Sequence, residues 1–152
     1  MRAGTFKLGY NIELITTDHY TGEVIDRSEI NNLIVNTGLE AIVKLLNGVS
    51  STYMRAIAIG TSSTAVASAQ TALITEVDRA LATLTYESDY KAKFSKTFTF
   101  ASGVSYTITE VAVLDNVTSG GVMLNRALDA GKAVDSDTDL TVNVTITASV
   151  VV

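Results

Sequence analysis

The chain has 152 residues and a formal net charge of −5, and only 18% of its residues are charged, against roughly 25% in an average domain. The absence of cysteine excludes disulfides and thiol chemistry, and an acidic chain without a basic cluster argues against a nucleic-acid partner. No apolar run approaches the roughly 18 residues that cross a bilayer, so no membrane partner is expected. This composition predicts one domain, residues 1–152, with a neutral surface that contacts other subunits.

The N-terminal part of the chain is predicted to be extended. Apolar and polar residues alternate from Phe6 to Leu14, which is typical of a strand with one buried face. A turn follows at residues 18–22, and a second extended stretch covers residues 23–35. Residues 1–5 precede the first strand, and they form either an arm that reaches a neighbouring subunit or a frayed terminus.

One helix is predicted next. Thr37 and Glu40 have the spacing of a capping box, in which the two side chains satisfy free backbone N–H groups at the start of a helix. Asn47 and Gly48 favour a left-handed stop. The pattern therefore predicts a helix of about three turns that plugs one end or flank of the sheet core. Its apolar positions at helical spacing are Leu39, Ile42, Val43 and Leu46.

Strand patterns resume after the helix. Strands are predicted at residues 53–60, 90–100, 106–114, 122–128 and 139–152. A long loop is expected at residues 61–72. Residues 72–82 are ambiguous, because Leu73 and Val77 suit a helical turn whereas the run at residues 79–87 suits a strand. Turns are predicted at residues 102–103, 118–121 and 129–132.

The strand at residues 90–100 contains the densest group of basic residues, Lys91, Lys93 and Lys96. Its alternation predicts that four residues point toward the core, namely Ala92, Phe94, Phe98 and Phe100. Lys96 interrupts that inward face, so it is expected either to lie at a sheet edge or to extend its amine outward.

The last strand alternates most regularly. Its apolar face comprises Leu140, Val142, Val144, Ile146, Ala148 and Val150. Its other face is polar and uncharged and comprises Thr141, Asn143, Thr145, Thr147 and Ser149. A face of this kind can be covered by a neighbouring subunit at a cost similar to that of leaving it in water. Together with the apolar end at residues 150–152, it predicts a homo-oligomer, with a homotrimer expected.

Seven or eight strands separated by turn residues, with one short helix, predict an all-β fold. The expected architecture is an antiparallel β-sandwich or a jelly-roll-like domain. An open sheet with the helix packed on one side is the alternative.

No catalytic residue, cofactor-binding residue or metal ligand is assigned, so the chain is expected not to be an enzyme. His19, the single histidine, lies in a predicted turn beside Asp18 and is interpreted as an exposed turn residue. Three carboxylates that could serve a glycosidase are interpreted instead as surface groups or as partners of Arg79 or Arg126. They are Glu76, Glu87 and Glu110. The tyrosines are interpreted as the rim of the core rather than as a sugar-binding platform.

Asp135, Asp137 and Asp139 alternate as the first ligands of a calcium loop do. An EF-hand would then require Gly at position six and Glu at position twelve, where this chain has Leu140 and Ile146. The segment is therefore not an EF-hand. A looser calcium site at a strand end and a solvated acidic turn both remain open.

Six segments of the chain form a pattern by their order, namely residues 32–39, 56–64, 71–73, 76–79, 108–114 and 123–126. Taken together, they resemble small virion proteins of tailed bacteriophages, of the tail-fibre and head-decoration types. The resemblance covers roughly residues 23–150, and one position departs from the usual pattern, because Ala112 stands where a glycine often follows the Glu-Val pair.

The resemblance implies a structural, non-enzymatic, oligomeric β-domain. A capsid decoration (cement) protein is the expected function, with the major capsid protein as partner and the capsid surface of the virion as location, after synthesis in the host cytoplasm. A tail fibre or tail adaptor component, with tail proteins as partners, is the alternative. A carbohydrate-binding module and a small hydrolase are the remaining alternatives.

Overall fold

The computed structural model describes residues 5–151, which form ten strands and one helix. The helix is α1 (Asn36–Leu46). The strands are β1 (Thr5–Asp18), β2 (Val24–Ile30), β3 (Leu33–Ile34), β4 (Ala56–Gly60), β5 (Glu76–Leu81), β6 (Thr83–Glu87), β7 (Lys91–Phe98), β8 (Ser105–Leu114), β9 (Met123–Asp135) and β10 (Thr138–Val151).

The strands form two five-stranded antiparallel sheets. The first has the order β2-β1-β10-β7-β6, and the second has the order β3-β9-β8-β4-β5. Apolar side chains of both sheets form one shared core cluster. The predicted all-β fold, with sandwich-like packing of two sheets and one short helix, is therefore confirmed, and the single open sheet is not what these residues form.

The alternation seen in the sequence accounts for the centre of the first sheet. β10 lies between β1 and β7, and its buried residues Leu140, Val142 and Val144 face the second sheet. Ile12 and Leu14 of β1 are fully buried beside them. Leucine, isoleucine and valine at every second position thus form one apolar wall of the core.

The second sheet is buried on both faces. All five residues of β4 are buried, and Ala56 and Ala58 belong to a second apolar cluster, on the side opposite Ile57 and Ile59. This cluster also contains Leu73, from the long loop between β4 and β5. That loop therefore covers the outer face of the sheet, as the continuous apolar character of β4 requires.

Two predicted extended stretches are divided between the sheets. Residues 23–35 form β2 in the first sheet and β3 in the second, with a crossing at residues 31–32. Residues 79–87 likewise span β5 and β6, with Ala82 at the break. The Ala82 N–H donates to the Arg55 carbonyl oxygen, which holds the crossing in place.

The turn predicted at residues 129–132 is wrong. β9 continues through this segment to Asp135, with a register shift opposite residues 108–110 of β8. Gly131 adopts a φ of 129°, which allows the strand to bend. Asp129 and Lys132 are buried and paired with polar groups of β2, so the residues that suggested an exposed turn are instead part of the interior.

The predicted helix is confirmed, but its capping box is wrong. Val35 is the N-cap and makes no side-chain capping bond. Thr37 Oγ1 instead donates to the Met123 carbonyl oxygen at 2.9 Å, and Glu40 pairs with Lys44 one turn along. The neighbouring strand β9 therefore holds the first turn of the helix.

The helix packs against the core between the sheets, as expected of a plug. Ala41 and Ile42 contact the core cluster, and Gly38 lies against the Leu124 backbone with no room for a Cβ atom. Three of the four predicted apolar positions face outward, since a different stripe of the helix meets the sheets. They are Leu39, Val43 and Leu46.

The basic strand β7 matches its prediction in part. Phe94 and Phe98 are buried and Phe100 packs against the core, as predicted, whereas Ala92 is exposed and its predicted inward position is wrong. Lys96 lies opposite the buried Val142, on the same face as these phenylalanines. Strand β6 pairs with β7 only up to Ser95, so Lys96 lies at a sheet edge.

The predicted N-terminal arm, residues 1–5, lies outside the described residues except for Thr5. That residue begins β1, opposite Val151 at the end of β10. Val152 also lies outside the described residues.

Candidate functional site

His19 has a partner that the sequence did not indicate. Its Nδ1 lies 2.9 Å from Asp139 Oδ1, 120 residues away along the chain, and its ring contacts Tyr20 edge-on. Asp18 instead accepts backbone N–H groups of Tyr20 and Thr21. Asp139 can orient the imidazole, and no serine or threonine hydroxyl bonds to the ring within residues 5–151.

The three alternating aspartates make separate contacts. Asp135 accepts from the Asp137 N–H and the Thr138 hydroxyl, which closes the turn between β9 and β10. Asp139 pairs with His19. Across residues 5–151, no group of three or more metal-ligating side chains converges.

A buried ion pair joins Glu110 of β8 to Arg126 of β9. Arg126 Nε donates to Glu110 Oε2 at 2.8 Å, and both side chains are fully buried. Glu110 also accepts the backbone N–H groups of Ile74 at 3.1 Å and Thr75 at 2.7 Å. These bonds compensate the carboxylate for its loss of water.

The same pair fixes the long loop at residues 61–75. Arg126 Nη1 donates to the Thr64 carbonyl oxygen at 2.8 Å and to Gln70 Oε1 at 3.2 Å. Gly60, at the start of the loop, leaves no space for a side chain, because a Cβ atom there would overlap the Thr75 carbonyl and the Glu110 carboxylate. The loop is therefore held by charged groups beneath it rather than left free over the sheet.

A second arginine ties down the loop between β8 and β9. Arg79 forms a two-pronged pair with Glu76, at 2.9 and 2.7 Å, and donates to the Asn116 and Gly120 carbonyl oxygens. The predicted pairing of carboxylates with Arg79 and Arg126 is thus confirmed for Glu76 and Glu110. The sequence signal for the buried pair was one acidic and one basic residue inside apolar strand segments.

One end of the first sheet is apolar and uncovered. Within residues 5–151, the sheet narrows to a ribbon of two strands at residues 5–8 of β1 and 148–151 of β10. The reason is that β2 pairs with β1 only from Ile12 onward and β7 pairs with β10 only up to Thr147. On the core-facing side of this ribbon, Phe6 lies opposite Val150 and Leu8 lies opposite Ala148. Phe6 is 60% exposed and Val150 is 67% exposed.

We call this surface the open end and define it by Phe6, Leu8, Tyr90, Ala148 and Val150. A shallow groove runs over it, lined by Phe6, Tyr90 and the end of β10. A second apolar groove begins at Leu8 and passes beneath helix α1. Leu45 and Tyr53 are exposed at the rim of this second groove. The exposed apolar area therefore extends beyond the ribbon.

The six tyrosines are divided between the interior and the surface. Burial raises the pKa of Tyr10 to about 12, because the phenolate would lose its water. Four others are largely exposed, so the predicted rim position describes only Tyr10 and Tyr106 well. The exposed ones are Tyr20, Tyr53, Tyr86 and Tyr90.

The uncharged outer face of β10 is bonded to the neighbouring strands. Asn143 accepts from the Ser95 hydroxyl at 2.7 Å and donates to Glu13 at 3.0 Å. The Thr97 and Thr141 hydroxyls lie 2.7 Å apart. This face is therefore partly satisfied within the chain and depends on a partner less than the open end does.

Comparison with known proteins gives no matching family model, no matching curated protein and no matching solved structure. Helix α1 has 11 residues, and no helix within residues 5–151 is long and apolar enough to span a membrane.

Proposed function

We propose that the chain is a structural protein of a tailed bacteriophage virion and that it decorates the capsid by binding across neighbouring capsid subunits. Its partners in this proposal are the major capsid protein and other copies of itself, in a homotrimer. The proposal includes no enzymatic activity, no nucleic-acid partner and no membrane partner.

The observation that carries the proposal is the open end. Exposed contiguous apolar surface on a water-soluble domain is costly and marks a surface that another molecule covers. Here, Phe6 and Val150 lie side by side at the end of the two central strands of a sheet, and both line an apolar surface groove. This arrangement favours a protein that binds another macromolecule rather than an enzyme that converts a small ligand.

The segments that carry the resemblance lie together in the second sheet and its covering loops. β3 pairs with β9 at Asn125 and Arg126, β4 pairs with β8, and Glu110 bonds to Thr75 and Arg126. Residues scattered over a hundred positions in sequence thus form one structural unit. Their convergence supports reading the resemblance as that of a whole fold rather than of isolated motifs.

The mechanism proposed is mechanical. A decoration protein stabilises a shell by burying surface across a seam, and the binding free energy shifts the equilibrium toward the closed shell. Such a clamp must not deform, and both long loops of the second sheet are fixed by arginine–carboxylate pairs. The loops then present their surface without a large loss of conformational entropy on binding.

A tail fibre or tail adaptor component is the second candidate, because the resembling segments occur in both types of virion protein. The two candidates differ in the particle fraction that the chain should bind. A decoration protein should bind heads, and a tail component should bind isolated tails.

Co-sedimentation tests the proposal. Purified protein is mixed with emptied capsids of the phage that encodes it and, separately, with isolated tails, and both are pelleted. We expect saturable binding to capsids at a fixed ratio to the major capsid protein, with none to tails. Binding to tails alone would favour the second candidate, and binding to neither would contradict both.

A further inference from the structure

We propose that the open end is the surface through which copies of this chain contact one another around a common symmetry axis. This inference deepens the proposed function, because it assigns the self-association proposed there to a named surface. It starts from the row of apolar side chains in which Phe6 and Val150 are exposed and Leu8 and Ala148 are half-buried.

The charge distribution favours a second copy as the occupant. Near a symmetry axis, each side chain lies close to the same side chain of another copy, so any charge there meets a like charge. The molecule has a net charge of −5, yet none of the five residues of the open end is charged. Lys7, the nearest basic residue in β1, lies on the opposite face of the ribbon by alternation.

The edge of the ribbon also suits a protein strand. β2 pairs with β1 only between Ile12 and Thr17, so within residues 5–151 no strand pairs with that side of residues 5–11. An unpaired edge offers backbone N–H and C=O groups to another chain. A lipid surface or a glycan does not present backbone N–H and C=O groups at the regular spacing of this strand edge, whereas the ribbon of a second copy does.

The exposed area is of the size that association needs. Phe6, Tyr53 and Tyr90 are 60%, 55% and 74% exposed. At about 200 Å² for each aromatic side chain, they leave on the order of 350 Å² uncovered. The side chains of Leu45 and Val150 and the edge of the ribbon add to this area, toward the roughly 800 Å² per partner of a stable interface.

Light scattering coupled to size-exclusion chromatography tests the inference on the full chain at about 1–50 µM, near the dissociation constants of moderate protein–protein contacts. The double variant F6K/V150K places two charges at the open end. We expect wild type to form a closed oligomer and F6K/V150K to dissociate, with a dissociation constant raised at least about 100-fold, because like charges meet at the axis.

The matched control is V24K/I25K. Val24 and Ile25 are as exposed as Phe6, at 58% and 60%, but Val24 lies opposite Thr17, roughly 35 Å along β1 from the open end. This variant should keep the wild-type mass. Monomeric wild type, or an oligomer that F6K/V150K leaves intact, would overturn the inference. If F6K/V150K keeps the wild-type oligomer, this inference fails while capsid binding, measured by co-sedimentation, can still be intact. Failure of the inference is therefore distinguishable from failure of the proposed function.

Cross-linking decides the matter if F6K/V150K fails to fold. The chain has no cysteine, so the single variants Phe6→Cys and Ile25→Cys each carry one reactive thiol. A short bis-maleimide should join two chains through residue 6 and not through residue 25. Equal yields at both positions, or no product at residue 6, would overturn the inference. The inference would also be overturned if wild type is a monomer and F6K/V150K loses capsid binding. The open end would then be the surface that contacts the capsid.

Discussion

At the residue scale, the most consequential feature is the buried pair of Glu110 and Arg126. Two charges without exposure are tolerated only when each is paired and bonded. Glu110 meets this condition through Arg126 and the backbone of residues 74–75. Arg126 meets it through Nε and Nη1, which bond to Glu110, Thr64 and Gln70, while its Nη2 is buried without a partner among the described residues. The pair therefore determines where the long loop lies.

The substitution Arg126→Met tests this role. It keeps much of the side-chain volume but leaves the Glu110 carboxylate buried without its cation, so we expect a loss of about 3–5 kcal/mol in the free energy of unfolding. Urea denaturation measures the loss. Lys44→Met removes an exposed cation from its pair with Glu40 and should cost only a small fraction as much. Equal, small losses in both variants would contradict the anchoring role.

The sequence indicated which residue types could pair, but not every partner. Glu110 and Arg126 were expected to find opposite charges, and they do. His19 was considered beside Asp18, its neighbour in sequence, whereas its partner is Asp139. The Asp18 carboxylate bonds to the N–H groups of Tyr20 and Thr21, and the pairing of β1 with β10 brings His19 to Asp139. Such contacts depend on topology, which a local pattern does not encode.

At the element scale, periodicity predicted most of the elements and failed where polar residues are buried. β1 and β10 follow simple alternation, because one face meets the core and the other carries polar groups. β9 was divided at residues 129–132, because Asp, Gly and Lys together suggest a turn. In the fold, Asp129 and Lys132 instead satisfy one another and β2. Periodicity also predicted the helix, but the apolar positions that it indicated are mostly not the ones that face the core.

Two helix substitutions test the orientation of that stripe. Ile42 packs against the core cluster, whereas Val43 is 59% exposed, so Ile42→Ala should cost about 2 kcal/mol and Val43→Ala less than about 0.5 kcal/mol. Thermal or urea unfolding of the two variants, at equal protein concentration, measures the difference. The reverse order of losses would mean that the helix presents its other face to the sheets.

At the scale of the whole molecule, a polar cluster joins the two sheets at one side. Lys132 of β9 donates to Asp26 of β2 at 2.7 Å and lies 3.5 Å from Asp129, which in turn accepts from the Ser28 hydroxyl. The hydrogen bond from Lys132 holds the pKa of Asp26 below its ordinary value of 3.8. Asp26 therefore binds its proton more weakly in the folded state than in the unfolded state.

This shift gives the stability of the sandwich a pH dependence of known sign. A carboxyl with a depressed folded-state pKa contributes stability above its ordinary value and loses it as the pH falls through the lower, folded value. Asp26→Asn should therefore be less stable than wild type at pH 7, and the gap should close below about pH 4. Urea midpoints measured between pH 2.5 and 7 would show this. A gap that is constant across that range would rule out the ionic contribution.

The open end could not be predicted from the sequence. Phe6, Leu8, Ala148 and Val150 continue the apolar alternation of their strands, so the pattern predicts that they are buried. In the structure, Phe6 and Val150 are exposed and Leu8 and Ala148 are half-buried, at an end of the first sheet where only β1 and β10 pair. This depends on the lengths and register of the neighbouring strands, which the local pattern does not encode. The sequence did predict an apolar C-terminal end in need of cover, and the structure adds the matching residues of β1.

Quantitative mass spectrometry of purified virions, with heads and tails separated, tests the central claim most directly. If the chain works by docking neutral surfaces on its siblings and on a capsid, it should occur in the head fraction in hundreds of copies, at a fixed ratio to the major capsid protein. Its absence from every particle fraction would contradict the account.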